Sequence, residues 1–254
     1  MVEQYPGQIE HETRIAQVHR EELIARIAQV MRVDGTMQPR EGLHLYRQSL
    51  PQQVHGVVDP SLCVIAQGSK EVLVGEHRYR YDPMHYLLAT LDLPHVSQIR
   101  DASPERPYLA IRLQLSSALV SSVITEIPAP VIASPADVRA IAVTPLDTSL
   151  LDALVRLVRL LDCPSEAQVL MPLITREIIY RLLMGEHGGR LRHLAVQGGY
   201  SPHIAKAIER IAAHVTGCTD SGMSLSYVSG DSTYPVSPAP TAGGRVIEGD
   251  SHDR

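Results

Sequence analysis

The sequence predicts an α+β fold: a small double-sheet β-barrel of jelly-roll type, flanked by an N-terminal helix and a C-terminal helical hairpin, with a disordered tail. Three observations carry this. Apolar residues recur at helical spacing up to about residue 32, at a spacing of two from Gly42 to about Leu115, and at helical spacing again from Ser116 to Val215. Strict alternation marks strands with one face buried, whereas the 3.6-residue period marks amphipathic helices. Beyond Val215 neither period survives, and Ser, Gly, Thr, Pro and Asp crowd the chain.

The first 13 residues are polar and read as a disordered start. A helix is expected over 14–32, capped by Thr13 and ended by Asp34-Gly35, with Ile15, Val18, Ile24, Ile27 and Val30/Met31 as its apolar stripe. In the strand region, Tyr79 and Tyr81 alternate with Arg78 and Arg80, and Leu109, Ile111, Leu113 and Leu115 alternate with Ala110, Arg112 and Gln114. Breaks fall at turn chemistry: Asp59-Pro60, Gln67-Gly68-Ser69, Gly75-Glu76, Asp82-Pro83, Leu93-Pro94 and Ser103-Pro104. Gly75-Glu76, between VLV and HRYRY, suits a tight hairpin. Short strands at this spacing fit a jelly-roll or cupin-like barrel, which with the N-terminal helix occupies 14–126.

A short helix is expected from Ser116 to about Glu126, and Pro128, Pro130 and Pro135 mark a linker. Thr144-Pro145-Leu146-Asp147 reads as a helix start, with Thr as N-cap and Pro in the first turn. Leu150, Leu154, Leu157, Val158 and Leu161 follow as a stripe, stopped by Cys163-Pro164. Ser165-Glu166-Ala167-Gln168 has the form of a capping box. It opens a helix through Leu170, Ile174, Ile178, Leu182 and Leu183 to Gly185, with a kink expected at Pro172. The hairpin, within a region spanning 127–200, either covers the sheet or forms a dimer interface through Leu150, Leu154, Leu157, Leu161, Ile174 and Ile178. The stripes alone do not separate the two. A weaker helix is expected over His187–Ala195, and another over 203–215 within a segment 201–215.

Composition narrows the function. The net charge of −5 and the lack of a basic segment do not suggest a nucleic-acid surface. Cys63, Cys163 and Cys218 are too scattered for a disulfide framework or a zinc site and read as reduced thiols. No apolar run of about 18 residues and no signal peptide is visible, so a cytoplasmic protein without membrane contact is expected. His77, His85 and His95 stand apart and no His-x-His pair exists, so neither metal nor other cofactor is expected. Nucleophile elbows, Walker loops and dinucleotide fingerprints are absent, which gives an enzyme reading no support. A small barrel can still hold one small ligand. The candidate effector-binding residues are His44, Tyr46, Cys63, Tyr79, Tyr81 and His85, since Tyr and His pair an apolar body with a polar tip.

In order along the chain, LHLYR, PSLCVIAQGSKEVLVGEHRYRYDPMHYLL, SPERPYLAIRLQL, SPADVRAIAVTPLDTSLLDALVRLVRLLD and MPLITREIIYRLLMGEHGGRLRHLA lead into an Ile-Ala-x-Ala-Ile helix. Over about residues 14 to 215 this series resembles the N-terminal sensor region of AraC-type transcription regulators. Its most specific parts are Tyr81-Asp82-Pro83 and the stretch from Arg176 to Leu183; Met84 departs from the Gly expected after Asp-Pro. The resemblance implies a cupin-like barrel sensing a small effector, a helical dimerisation region, and a domain of two helix-turn-helix units. Only the first helix of that last domain, 201–215, is matched. The 39 residues after Val215 carry five acids and two Arg, where such a domain needs roughly 100 residues. The expectation is therefore a sensor and dimerisation region, truncated or frameshifted, that does not bind DNA by itself. Its expected partners are a small-molecule effector and a second subunit, as a homodimer or a heterodimer with an intact relative. A dominant-negative or ligand-sequestering role is the alternative, followed by a cupin-type enzyme.

Overall fold

The computed structural model describes residues 6–127 and 140–197. Helix α1 runs Pro6–Val30, so it begins before Thr13, which lies inside it rather than capping it. Its buried stripe is Ala16, Leu23 and Ile27, continued by Met31 just past its end, while Val18 is exposed. Ten strands follow a jelly-roll-like path: β1 Gly35–Arg40, β2 Leu43–Gln48, β3 Gln53–Val58, β4 Ser61–Gln67, β5 Ser69–Val74, β6 His77–Tyr81, β7 His85–Ala89, β8 Leu93–Asp101, β9 Tyr108–Gln114 and β10 Ile141–Pro145. They form two antiparallel sheets, one of order β1-β2-β9-β4-β7-β10 and one of order β3-β8-β5-β6.

Two glycines set the path of the chain. Gly68, at φ +90°, carries it from β4 in one sheet to β5 in the other; a Cβ there would collide with the Asp101 carbonyl oxygen. Gly75, at φ +58°, sits in the two-residue loop that pairs Val74 with His77, as the Gly-Glu signal predicts.

The six-stranded sheet is buried on both faces, and strand parity separates the sides. Leu43, Leu45, Leu62, Val64, Leu88, Leu109, Ile111 and Leu113 join the helices in one core. Ile65, Leu87, Ala89, Tyr108, Ala110 and Ile141 face the other sheet and form a second core with Val58, Val72, Tyr81 and Ile99. The strict alternation in β9 therefore separates two interiors rather than an interior from solvent.

Helix α2, Ser117–Glu126, is capped by the Ser116 side chain, which accepts from the Leu119 N–H. Helix α3 runs Thr148–Arg159, not from Thr144: β10 continues through Thr144 and Pro145 opposite Tyr86 and His85, and Asp147 is the N-cap, accepting from the Leu150 N–H at 2.8 Å. An edge strand tolerates Pro at its end, so the run Ile141-Ala142-Val143-Thr144, with three β-branched residues, stays extended. Helix α4, Pro164–Met184, starts with Pro in its first turn; Ser165 lies within the helix, and the expected capping box does not cap it. Pro172 sits inside without ending it. Helix α5 runs Gly188–Gln197.

The α3 stripe is spent inside the molecule. Leu150, Leu154, Leu157 and Ile178 are at most 1% exposed and belong to the core under the six-stranded sheet; Leu161 and Ile174 pack half-buried against it. In this chain the α3 stripe is filled from within the same molecule. Arg159 locks α3 to α1 through a two-pronged bond to Glu22 at 2.7 and 2.6 Å, and Arg26 donates to the same carboxylate at 2.7 Å. The linker prolines, the 203–215 helix and the 216–254 tail lie outside the described residues.

Candidate functional site

Between the two sheets lies a cavity of about 290 Å³ whose mouth, at Thr36 and Gln52, opens to solvent. The barrel interior is not filled because small and polar residues stand where large apolar ones would close it. Gly56 and Val54 on β3, Ser97 on β8 and Ala110 on β9 line its walls, together with Tyr46, Tyr81 and Tyr108. Two cationic side chains reach it from opposite sheets, Lys70 on β5 and Arg112 on β9. A wider hollow of about 600 Å³, between the Arg40–Leu43 turn and α4, is more open to solvent and lacks a buried charge in its lining.

Arg112 is 7% exposed. Its Nη1 donates to Asp59 Oδ1 at 2.5 Å and its Nη2 lies 3.4 Å from His44 Nδ1. Its Nε has no partner among the described residues, and neither has Nδ1 of His95, another lining residue. The Lys70 side chain, half-buried and on the inward parity of Val72, makes no hydrogen bond or ion pair among the described residues. Burial fixes the charge states. It pulls Lys70 below its ordinary value, assisted by Arg112, and pushes the Cys63 thiol up. It raises the phenols of Tyr46, Tyr81 and Tyr108. It lowers His95 to about 4, with Lys70 adding to the effect, and His44 falls through burial and the charge on Arg112. Burial thus favours the neutral forms of the three phenols, the Cys63 thiol and the His44 and His95 rings, and the two basic side chains of the lining are Lys70 and Arg112.

Of the residues predicted from sequence, Tyr46, Cys63 and Tyr81 line this cavity. His44 stands just behind the lining, against Arg112. Tyr79 packs against the interior cluster without reaching the cavity. His85 is removed from it: the ring sits at the Asp82-Pro83 corner with Nδ1 2.8 Å from Asp82 Oδ1. Sequence reasoning misses Lys70, His95, Tyr108 and Arg112. The signal for the two cations was present. Each interrupts an apolar face, Lys70 in line with Val72 and Val74, and Arg112 in line with Tyr108 and Ala110. Taking the Arg112 face of β9 as solvated concealed it.

This chain is similar to several solved structures. It matches the apo form of a single-residue variant of ToxT from Vibrio cholerae strain SCE256 at 10% identity and TM-score 0.46, over 74% of this chain and 69% of that one. It matches unsaturated fatty acid-bound wild-type ToxT from the same strain at 10% identity and TM-score 0.47, over 72% and 65%. The AraC-like transcriptional activator CuxR aligns at 10% identity and TM-score 0.38, over 73% and 65%. The chain thus spans about two thirds of the length of these proteins. No curated protein matches it. Residues 39–190, which contain every strand that lines the cavity apart from the first residues of β1, match the model of the AraC-type transcriptional regulator N-terminus, and the chain belongs to that family.

Proposed function

We propose that this chain is the effector-sensing region of a transcription regulator and that the cavity between its two sheets is the effector site. The observation carrying this reading is the hollow itself, with apolar walls and two buried polar nitrogens, Arg112 Nε and His95 Nδ1, left without partners among the described residues. Buried polar atoms in a folded protein almost always have partners, so unfilled ones around a cavity suit a ligand that completes them. A transmitting layer is at hand, because β9 presents Tyr108, Ala110 and Arg112 to the cavity and Leu109, Ile111 and Leu113 to the core shared with α1 and α3.

Gly56 supplies the test. It points inward with Val54 and Val58, and a Cβ added to it would meet only the His95 ring, at an ordinary 3.6 Å. Gly56→Leu should fill the cavity without backbone strain. Compounds that raise the melting temperature of the wild-type chain in a small-metabolite screen should lose that effect in Gly56→Leu. Ligands that stabilise both proteins equally would place the effector site elsewhere.

The reading includes self-association through α4. That helix has a second apolar face: Val169, Leu173, Tyr180 and Met184 are exposed and fall within a narrow arc at 3.6-residue spacing, opposite the buried Ile178 and Leu182. A stripe repeated on a second copy would be self-complementary about a twofold axis. This outer stripe, not the buried α3 residues, is the dimerisation surface supported here.

A further inference from the structure

We propose that the effector is a compact monoanion with an apolar body, a small carboxylate being the simplest example, bound between Lys70 and Arg112. This rests on the cavity being the effector site. The two cations enter from different sheets, and both line the same cavity. A half-buried cation with no counter-charge beside it costs stability that an apolar residue at position 70, as at Val72 two residues on, would avoid. Arg112 is compensated by Asp59, which touches only Nη1 and leaves Nε open. Lys70 has no counter-ion among the described residues. The lining contains two basic side chains, Lys70 and Arg112, and no carboxylate, so with Asp59 paired to Arg112 one cation is left in excess.

One excess cation matches one negative charge. A dianion would reverse the imbalance, and a metal ion or an amine would be repelled by both side chains. Val54, Val58, Ile99 and Ala110 supply apolar walls for the rest of the ligand. The cavity of 290 Å³ has space for on the order of ten waters at about 30 Å³ each, which sets the ligand at the size of a small aromatic or short-chain acid.

The test is isothermal titration calorimetry of the full chain with acetate, hexanoate, benzoate and phenylacetate, the matched amides, and inorganic phosphate. At least one carboxylate should bind, and more tightly than its amide by about tenfold or more, the worth of one hydrogen bond to a charged group. Lys70→Met should remove that preference while leaving amide binding unchanged, and Lys70→Arg should retain it; thermal melts verify that both variants fold. Three results overturn the inference: no binding by any of the carboxylates, amides binding as tightly as their acids, or phosphate binding more tightly than every carboxylate. Gly56→Leu separates the failures. If amides equal acids and Gly56→Leu abolishes both, the cavity remains the site and only the anion assignment falls. If Gly56→Leu leaves carboxylate binding intact, both readings fall.

Discussion

Replacing Asp59 by asparagine isolates the ion pair that anchors the cavity. The side chain of Arg112 is 8% exposed and that of Asp59 26%, and their nearest atoms are 2.5 Å apart. The amide would keep an oxygen that accepts from Nη1 but would remove the negative charge beside a buried guanidinium. Breaking a buried pair by removing one partner costs about 3–5 kcal/mol; water reaches the partly open Asp59 side, so about 2–4 kcal/mol is the expected loss. A body of this size loses about 2–4 °C of melting temperature per kcal/mol, which gives a fall of about 4–16 °C. The assay is thermal unfolding followed by circular dichroism, with urea unfolding for the free energy. Arg112→Met added to Asp59→Asn should recover most of the loss, because a matched apolar replacement leaves no buried charge behind. The two substitutions in a cycle should then show non-additivity above about 1 kcal/mol. A loss below about 0.5 kcal/mol for Asp59→Asn, or strictly additive effects, would mean that the pair does not neutralise Arg112 inside the barrel.

Two further predictions concern the helices. The two-pronged bond from Arg159, with Arg26 beside it, holds the Glu22 carboxyl down to about 2 from an ordinary 4.5. A carboxyl whose pKa is lower in the folded chain stabilises it above about pH 4.5, and that contribution fades as the pH falls towards 2. At 1.36 kcal/mol per unit the full shift would be worth about 3 kcal/mol, which solvent screening at the helix surface reduces to about 1–2. The unfolding free-energy difference between wild type and Glu22→Gln should therefore be largest near pH 6 and vanish near pH 2; a difference independent of pH would remove the electrostatic account. On the outer stripe of α4, Leu173→Glu should shift the sedimentation behaviour from dimer to monomer and change the melting temperature of the monomer little, because Leu173 is already exposed. A wild-type chain that sediments as a monomer at tens of micromolar would sink the interface.

Much of the architecture was legible along the chain. Alternation gave the strand region, Gly75-Glu76 gave its hairpin, and Ser116 and Gly185 gave a helix start and a helix stop that the structure retains. These are local signals, written in backbone conformation and in hydrogen bonds between near neighbours. Local chemistry misled where a longer-range partner prevailed. Thr144-Pro145 has the form of a helix cap, yet pairing with Tyr86 and His85 on β7 draws it into a strand. Thr13 could cap α1, yet nothing ends the helix there and it extends back to Pro6.

The candidate site was legible only in part, for a physical reason. Alternation states that a strand has two faces; it does not state what covers each one. Residue order alone was enough to show that β9 carries one apolar face, and that Tyr46, Cys63 and Tyr81 belong to the strand region. It took the assembled fold to show that helices cover the apolar face and that a second sheet covers the other. That second covering turns Arg112 from a solvated charge into a buried one, sets Lys70 opposite it, and leaves His85 outside at a corner. It took the fold, too, to show that Leu150, Leu154 and Leu157 fill the chain's own core. An amphipathic stripe specifies burial, but whether the burying surface belongs to the same chain or to another depends on contacts between segments far apart in the sequence.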